Sequence, residues 1–242
     1  MRTAAALIIG NELLSGKIAE ANLVVLAREL RALGVQLRRV VMILDEIDVI
    51  ASEVRALAAA HDVVFTSGGV GPTHDDLTIE GVARAFDAGV VVSEQVAGMI
   101  RAAYGERLTD AHLLMARVPE GARLVATPAL PWPTVVMRNV WVLPGVPEVF
   151  QMKIPLLRAE LGTDAPFVSL AVFTTLDEGQ IKALLDEVVQ AYRDVDVGSY
   201  PRWSDPEYRT KLTFDGTDEE RVRAARDAFA ARLPPGAVVR VS

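Results

Sequence analysis

A chain of 242 residues with 51% apolar side chains can bury one large core, or a medium and a small one, without covalent staples. It has no cysteine, which excludes a disulfide scaffold, a zinc–thiolate site and a thiol nucleophile. Its net charge of −7, with arginines spread among the acids, argues against a nucleic-acid footprint, and no apolar run approaches the ~20 residues that span a bilayer.

The apolar run that opens the chain lacks the cleavage site of a secretory signal. It reads instead as a strand over 3–9, so a cytoplasmic, non-membrane protein is expected. Leu23, Leu26, Ala27, Leu30 and Leu33 recur at helical spacing over 22–33, and Gly34 stops the helix. A strand follows over 38–44. Asp48 is placed to cap a helix bearing Ile50, Val54 and Leu57. The segment 62–66 is a short buried strand that runs into Gly68-Gly69. Helices are expected over about 79–86 and over 93–104, the second capped by Ser93. Segments 134–137 and 140–143 form a hairpin turning at Arg138-Asn139. A helix then opens at Pro147, where a missing N–H costs little, and Pro155 should kink or end it.

Residues 162–166 read as a linker. Beyond it come a strand over 167–174, a helix over 177–192, strands over 195–200 and 207–214, a helix over 218–233 and a strand over 237–241. The order β-α-β-β-α-β is the split-βαβ arrangement. The expected fold is therefore α/β: a doubly wound, mostly parallel sheet over 1–162, followed by a small α+β split-βαβ domain over 167–242.

Four segments carry chemistry, each just after a predicted strand, where ligands bind in open parallel sheets. Gly10-Asn11-Glu12-Leu13-Leu14-Ser15-Gly16 is a glycine-bounded loop feeding a helix N-terminus, or a plain βα turn with a solvated Glu12. The run from Thr66 to Thr78 combines Gly68, Gly69 and Gly71 with Thr66, Ser67 and Thr73, a composition suited to a backbone N–H nest for phosphate. Asp75 and Asp76 beside such a nest would repel phosphate unless a divalent cation lay between them. The plain alternative is a flexible loop in which Asp76 or Thr78 merely caps the next helix. His74 is a candidate phosphate contact or general acid, or simply an exposed loop histidine. Asp45 could add a carboxylate to the metal site, whereas Glu46 complements a helix dipole. Pro144-Gly145, entering a helix at Pro147, forms a rigid corner. An acidic protein that handles anions must draw local positive potential from backbone N–H groups or bound cations.

These segments, in this order and with Asn22, resemble the molybdopterin-binding (MoaB/MogA-like) domain superfamily. The nearest likeness is to CinA proteins and to the N-terminal half of eukaryotic FAD synthases. Gly198-Ser199-Tyr200-Pro201-Arg202-Trp203 and Tyr208-Arg209-Thr210-Lys211-Leu212 resemble the KH-like module that follows in FAD synthases. The resemblance implies a phosphorylated small-molecule ligand, an adenine dinucleotide or molybdopterin, and allows a homo-oligomer. It implies a nucleotide pyrophosphatase acting on ADP-ribose or FAD and dependent on Mg, Mn or Co. The alternative is a non-hydrolytic binding protein for molybdopterin or its adenylylated form. By the same resemblance Gly10, Glu12, Asn22, Thr66, Gly68, Gly69, Gly71, Thr73, Pro144 and Gly145 would line the ligand. Asp75, Asp76 and His74 would be catalytic, and Asp45, Asp75 and Asp76 would hold the metal. Asn11 stands where threonine or aspartate is more usual. The sequence carries neither an amidohydrolase nor an adenylyl-transferring domain, so amidohydrolysis and FAD synthesis are not expected.

Overall fold

β1 (Thr3–Ile9) is an interior strand of the first sheet and is apolar throughout, because both of its faces are covered. Alternate residues serve different layers. Ala4, Ala6 and Ile8 join the core that includes Leu26, Leu30, Phe150 and Leu157, whereas Ala5, Leu7 and Ile9 join the one that includes Ile50, Val54, Leu57 and Val82. Complete burial of side chains such as Leu26 and Leu30 stabilises the fold by roughly 1.5–3 kcal/mol each.

The computed structural model describes residues 2–162, 166–204 and 206–242. From β1 the chain passes through α1 (Asn11–Leu14) and α2 (Asn22–Ala32) to β2 (Gln36–Ile43), then through α3 (Ile47–Ala60) to β3 (Val63–Ser67) and α4 (Thr78–Ala85). β4 (Val90–Val92), α5 (Glu94–Tyr104), α6 (Asp110–Leu114) and β5 (Arg117–Pro119) form an excursion in which β4 and β5 pair antiparallel. β6 (Arg123–Thr127), β7 (Leu130–Met137) and β8 (Val140–Leu143) lead into α7 (Pro147–Leu161). The six-stranded sheet has the order β2-β1-β3-β8-β7-β6. The first four strands are parallel, and β7 and β6 add an antiparallel hairpin edge. The β7–β8 turn is at Arg138, whose φ of 53° is left-handed.

The second unit contains β9 (Val168–Thr174), α8 (Glu178–Ala191), β10 (Asp196–Pro201), β11 (Thr210–Gly216), α9 (Glu219–Ala230) and β12 (Val238–Val241). Its antiparallel sheet has the order β10-β11-β9-β12. Val172, Leu212 and Phe214 of the sheet pack against Ile181, Val222 and Phe229 of the helices. Asp177 and Gln180 form a reciprocal capping box at the start of α8. The chain divides into units over Met1–Asp164 and Ala165–Ser242. The linker expected over 162–166 includes Thr163, Asp164 and Ala165, which lie outside the described residues.

Two local expectations are corrected, and of the two outcomes expected at Pro155 the helix end is excluded. Pro155 does not end α7, which runs on to Leu161. Leu156 and Leu157 just beyond it are buried, and their packing outweighs the one hydrogen bond that proline removes. Asp48 does not cap α3; it lies in the first turn and pairs with Arg84. Thr78 is the first residue of α4 rather than its cap, and its hydroxyl is used elsewhere.

Candidate functional site

Because β1, β3 and β8 are parallel neighbours, with Ile8 beside Ser67 and Ser67 beside Leu143, their following loops emerge together. This brings Gly10, Gly68 and Gly145 to one edge of the sheet. Gly68 has φ 109°, and a Cβ there would lie 2.1 Å from the Ile9 carbonyl oxygen. Only glycine lets the loop cross β1 this closely. Gly69 has φ 65°, and its Cβ would lie 2.4 Å from Thr78 Oγ1. Gly145 lies against Gly68, with its Cβ position 3.1 Å from the Gly68 Cα. The glycines are thus required by the chain's own packing.

Hydroxyl and amide groups fix this crossing. The Thr78 hydroxyl donates to the Gly68 carbonyl at 2.7 Å, and the Thr78 N–H donates to the Gly69 carbonyl at 3.0 Å. Asn22 Nδ2 donates to Ser67 Oγ at 3.0 Å and to the Gly145 carbonyl at 2.8 Å. Asn22 therefore ties the ends of β3 and β8 together from α2, whose first N–H groups are themselves capped by the Glu20 carboxylate.

The acidic loop is organised around Asp76. Its carboxylate accepts the Gly71 N–H at 2.6 Å, the Thr73 N–H at 2.8 Å and the Thr73 hydroxyl at 2.6 Å. The same hydroxyl lies 2.5 Å from Asp75 Oδ1, so the two carboxylates compete for one proton donor. Hydrogen bonds from the Thr73 hydroxyl and from the Asp75 amide hold the Asp75 carboxyl below the usual carboxylate range. Across the loop, Asp45 Oδ2 accepts the Asn11 N–H at 2.8 Å, and Asn11 Oδ1 accepts the Asp45 N–H at 3.3 Å. Burial pushes the Asp45 carboxyl up. The Asn11 bond opposes that shift, and the charges of Glu12, Asp75 and Asp76 add to it.

These groups face a cavity of about 860 Å³, a volume suited to a nucleotide-sized ligand. Gly10, Glu12, Asn22, Asp45, Gly68, Gly69, Gly71, Thr73, Asp75, Asp76, Pro144 and Gly145 all line it. Thr66 does not: it is fully buried within β3, and the next residue, Ser67, reaches the wall instead. His74 does not either. Its side chain is 96% exposed, and its Nδ1 lies 3.8 Å from Asp75 Oδ1.

Residues 5–159, more than half of the chain, match the family model described as "Probable molybdopterin binding domain". The chain belongs to the molybdopterin-binding domain family. Residues 166–242 match the "FAD synthase, middle domain" model. A protein of Archaeoglobus fulgidus is 34% identical over 227 residues, covering 93% of this chain and 95% of that protein. A "Probable FAD synthase" of Caenorhabditis elegans is 32% identical over 250 residues, covering 92% of this chain and 48% of that protein. The chain spans about half the length of the FAD synthases it matches. Among solved structures, the protein CinA from Thermoplasma acidophilum superposes with a TM-score of 0.60 at 31% identity, over 66% of this chain and 99% of that one.

Within this molybdopterin-binding domain the cavity wall includes groups that sequence reasoning missed. Trp132 and Tyr104 supply aromatic surface, and Lys153 reaches in from α7. Arg117 is engaged by Glu80 across the excursion. Pro131-Trp132-Pro133 was the one available signal, because a tryptophan between two prolines, which cannot donate to a strand ladder, has no simple core role. Carboxylate oxygens are the right donors for a hard divalent cation. Among the described residues, however, no three Asp, Glu or His side chains converge as a metal-binding cluster. The two oxygens of Asp76 are already committed to the loop, Glu20 to the start of α2 and Glu80 to Arg117, leaving Glu12, Asp45 and Asp75 as the carboxylates available to share a cation with ligand oxygens.

Proposed function

We propose that the chain binds an adenine dinucleotide of the ADP-ribose or FAD type in this cavity and hydrolyses its pyrophosphate bond with the help of Mg, Mn or Co. The observation that carries the proposal is the concentration of Glu12, Asp45, Asp75 and Asp76 on the wall formed by Gly68, Gly69 and Gly71. A phosphate seated on that wall would be repelled without an intervening cation. Asp45 and Asp75, with Glu12, would hold it. When bound, the cation neutralises phosphate charge and acidifies a water molecule.

The chain's own residues supply the rest. The Gly68–Gly71 backbone positions the phosphates, and Asp76 keeps that backbone in place. Asp45 Oδ2 stays bound to the Asn11 N–H, which orients the carboxylate and leaves Oδ1 for the cation. Trp132 and Tyr104 offer faces on which an adenine or flavin ring can stack.

The test is to incubate the pure chain with FAD, ADP-ribose and NADH, with each of the three cations and with chelator, and to measure AMP. Cation-dependent AMP supports hydrolysis, and its absence with every pair refutes it. The family match favours a second reading, non-hydrolytic binding of molybdopterin or its adenylylated form. Tight binding without AMP release would select it.

A further inference from the structure

Lys153 is the one charged side chain among the described residues that is buried, at 4% exposure. It lies one turn beyond Val149 on the cavity side of α7 and, like Val149, lines the cavity. Its ammonium donates to the Trp132 carbonyl at 2.7 Å and to the Pro133 carbonyl at 3.1 Å, both on β7. No carboxylate pairs with it among the described residues, and two of its three donors are used.

A buried cation compensated only by carbonyl dipoles is electrostatically incomplete. The cavity's other cation, Arg117, is neutralised by Glu80. Of the carboxylates on the wall, Glu12, Asp45, Asp75 and Asp76 belong to the loops after β1, β2 and β3, Glu20 caps α2 and Glu80 is paired with Arg117, whereas Lys153 lies under two turns along α7, ~9 Å from the Pro147 corner. The cavity is therefore polar in one direction, acids at one part and an uncompensated ammonium at another.

We infer that Lys153 is a ligand-binding residue whose free N–H donates to an anionic phosphate oxygen, and that the Trp132 and Pro133 carbonyls aim the ammonium at it. The inference rests on the reading that the cavity takes a phosphorylated ligand. It adds that the acidic, cation-dependent wall grips only part of the ligand's charge, and that Lys153 holds an anionic oxygen without a metal.

Burial alone lowers the Lys153 ammonium to about 8. β7 carries no charged side chain. On α7 the other charges are Glu148, Arg158 and Glu160. Arg158 is paired with Glu29 of α2, and Glu160 lies 3.8 Å from Arg123 of β6. The affinity for a phosphate ligand should therefore fall above pH 8, by up to about tenfold per pH unit, as the free protein loses this proton.

The probe is α,β-methylene-ADP-ribose, which resists hydrolysis and whose two phosphorus acids do not titrate between pH 7 and 9. It is titrated calorimetrically into the full chain and into Lys153→Met, with magnesium present and with adenosine as an uncharged comparison. The expected result has three parts: an affinity for the probe about tenfold or more weaker in Lys153→Met, an unchanged affinity for adenosine, and a wild-type affinity that falls above pH 8 while the variant's profile is flat. Equal affinities and equal pH profiles would overturn the inference and leave Lys153 as a cap on two carbonyls. A Lys153→Gln chain that binds the probe as tightly as the wild type overturns it even if Lys153→Met does not fold. A wild-type chain that binds adenosine but not the probe refutes the phosphorylated-ligand reading itself.

Discussion

The hydroxyl of Thr78 donates to the carbonyl of Gly68 at 2.7 Å, joining the first turn of α4 to the positive-φ residue that follows β3. Both residues are in the interior of the crossing, and Thr78 is fully buried. This bond holds the glycine loop in place where β1, β3 and β8 deliver their glycines.

Removing that donor should therefore be felt in both stability and binding. Thr78→Val keeps the shape of the side chain and orphans the Gly68 carbonyl, at a cost of about 1–3 kcal/mol. Thr78→Ser should restore most of it. Urea denaturation of the three proteins, with titration of an adenine dinucleotide, measures both effects. Equal midpoints for threonine and valine would show that the loop does not depend on this bond.

The glycines should separate by what their Cβ would meet. Gly68→Ala places a methyl 2.1 Å from a backbone oxygen that cannot move aside, so it should cost several kcal/mol or prevent folding. Gly71→Ala meets only the Asp76 carboxylate, at 2.7 Å, and should fold while binding ligand more weakly. Circular dichroism melts of the two variants provide the comparison, and similar melting temperatures would count against the assignment of roles.

The adjacent aspartates should behave differently. Asp75→Asn, on an exposed edge of the loop, should lose most cation-dependent turnover with little change in melting temperature. Asp76→Asn replaces an acceptor of three hydrogen bonds, so it should lower both turnover and melting temperature. Turnover measured over a range of cation concentrations, beside thermal melts, tests this. Retention of wild-type rates by Asp75→Asn at low cation would remove it from the metal site.

Stability should rise with pH above 8 because of Lys153. Its ammonium titrates at about 8 in the folded chain and near 10.5 when unfolded. Below pH 8 both states are protonated, and the full cost of burying the charge is present. Between 8 and 10.5 the folded chain releases its proton first, so that cost is removed, up to about 3 kcal/mol. Lys153→Met should lack this rise. Denaturation of both proteins at pH 7, 8, 9 and 10 isolates the difference, and parallel curves would mean that the ammonium is solvated.

The unit over Met1–Asp164 should fold alone and keep phosphate-ligand binding, because every residue of the cavity wall lies at or before Lys153. A fragment ending at 164, followed by calorimetry, tests this. An insoluble fragment would show that the two units share what stabilises them.

Much of the architecture was legible in the chain itself. The apolar runs of β1 and β3 can only be strands covered on both faces, and Leu23, Leu26, Leu30 and Leu33 can only be one face of a helix, because side-chain direction repeats with a period of 2 or 3.6. The glycines after β1, β3 and β8 marked the edge where the cavity lies, since a φ of 109° at Gly68 admits no other residue comfortably. The sequence did not distinguish a wall residue from a buried neighbour. Thr66 and Ser67 differ by one step of the pleat, and only strand pairing decided that Ser67 faces the cavity. Nor could it divide labour between Asp75 and Asp76, because the carboxylate that folds the loop is selected by three N–H and O–H groups converging in space. Lys153 was invisible for the same reason. Nothing local marks a lysine on an amphipathic helix as buried, and its burial follows from the packing of α7 against β7, which places two carbonyls within reach of its ammonium.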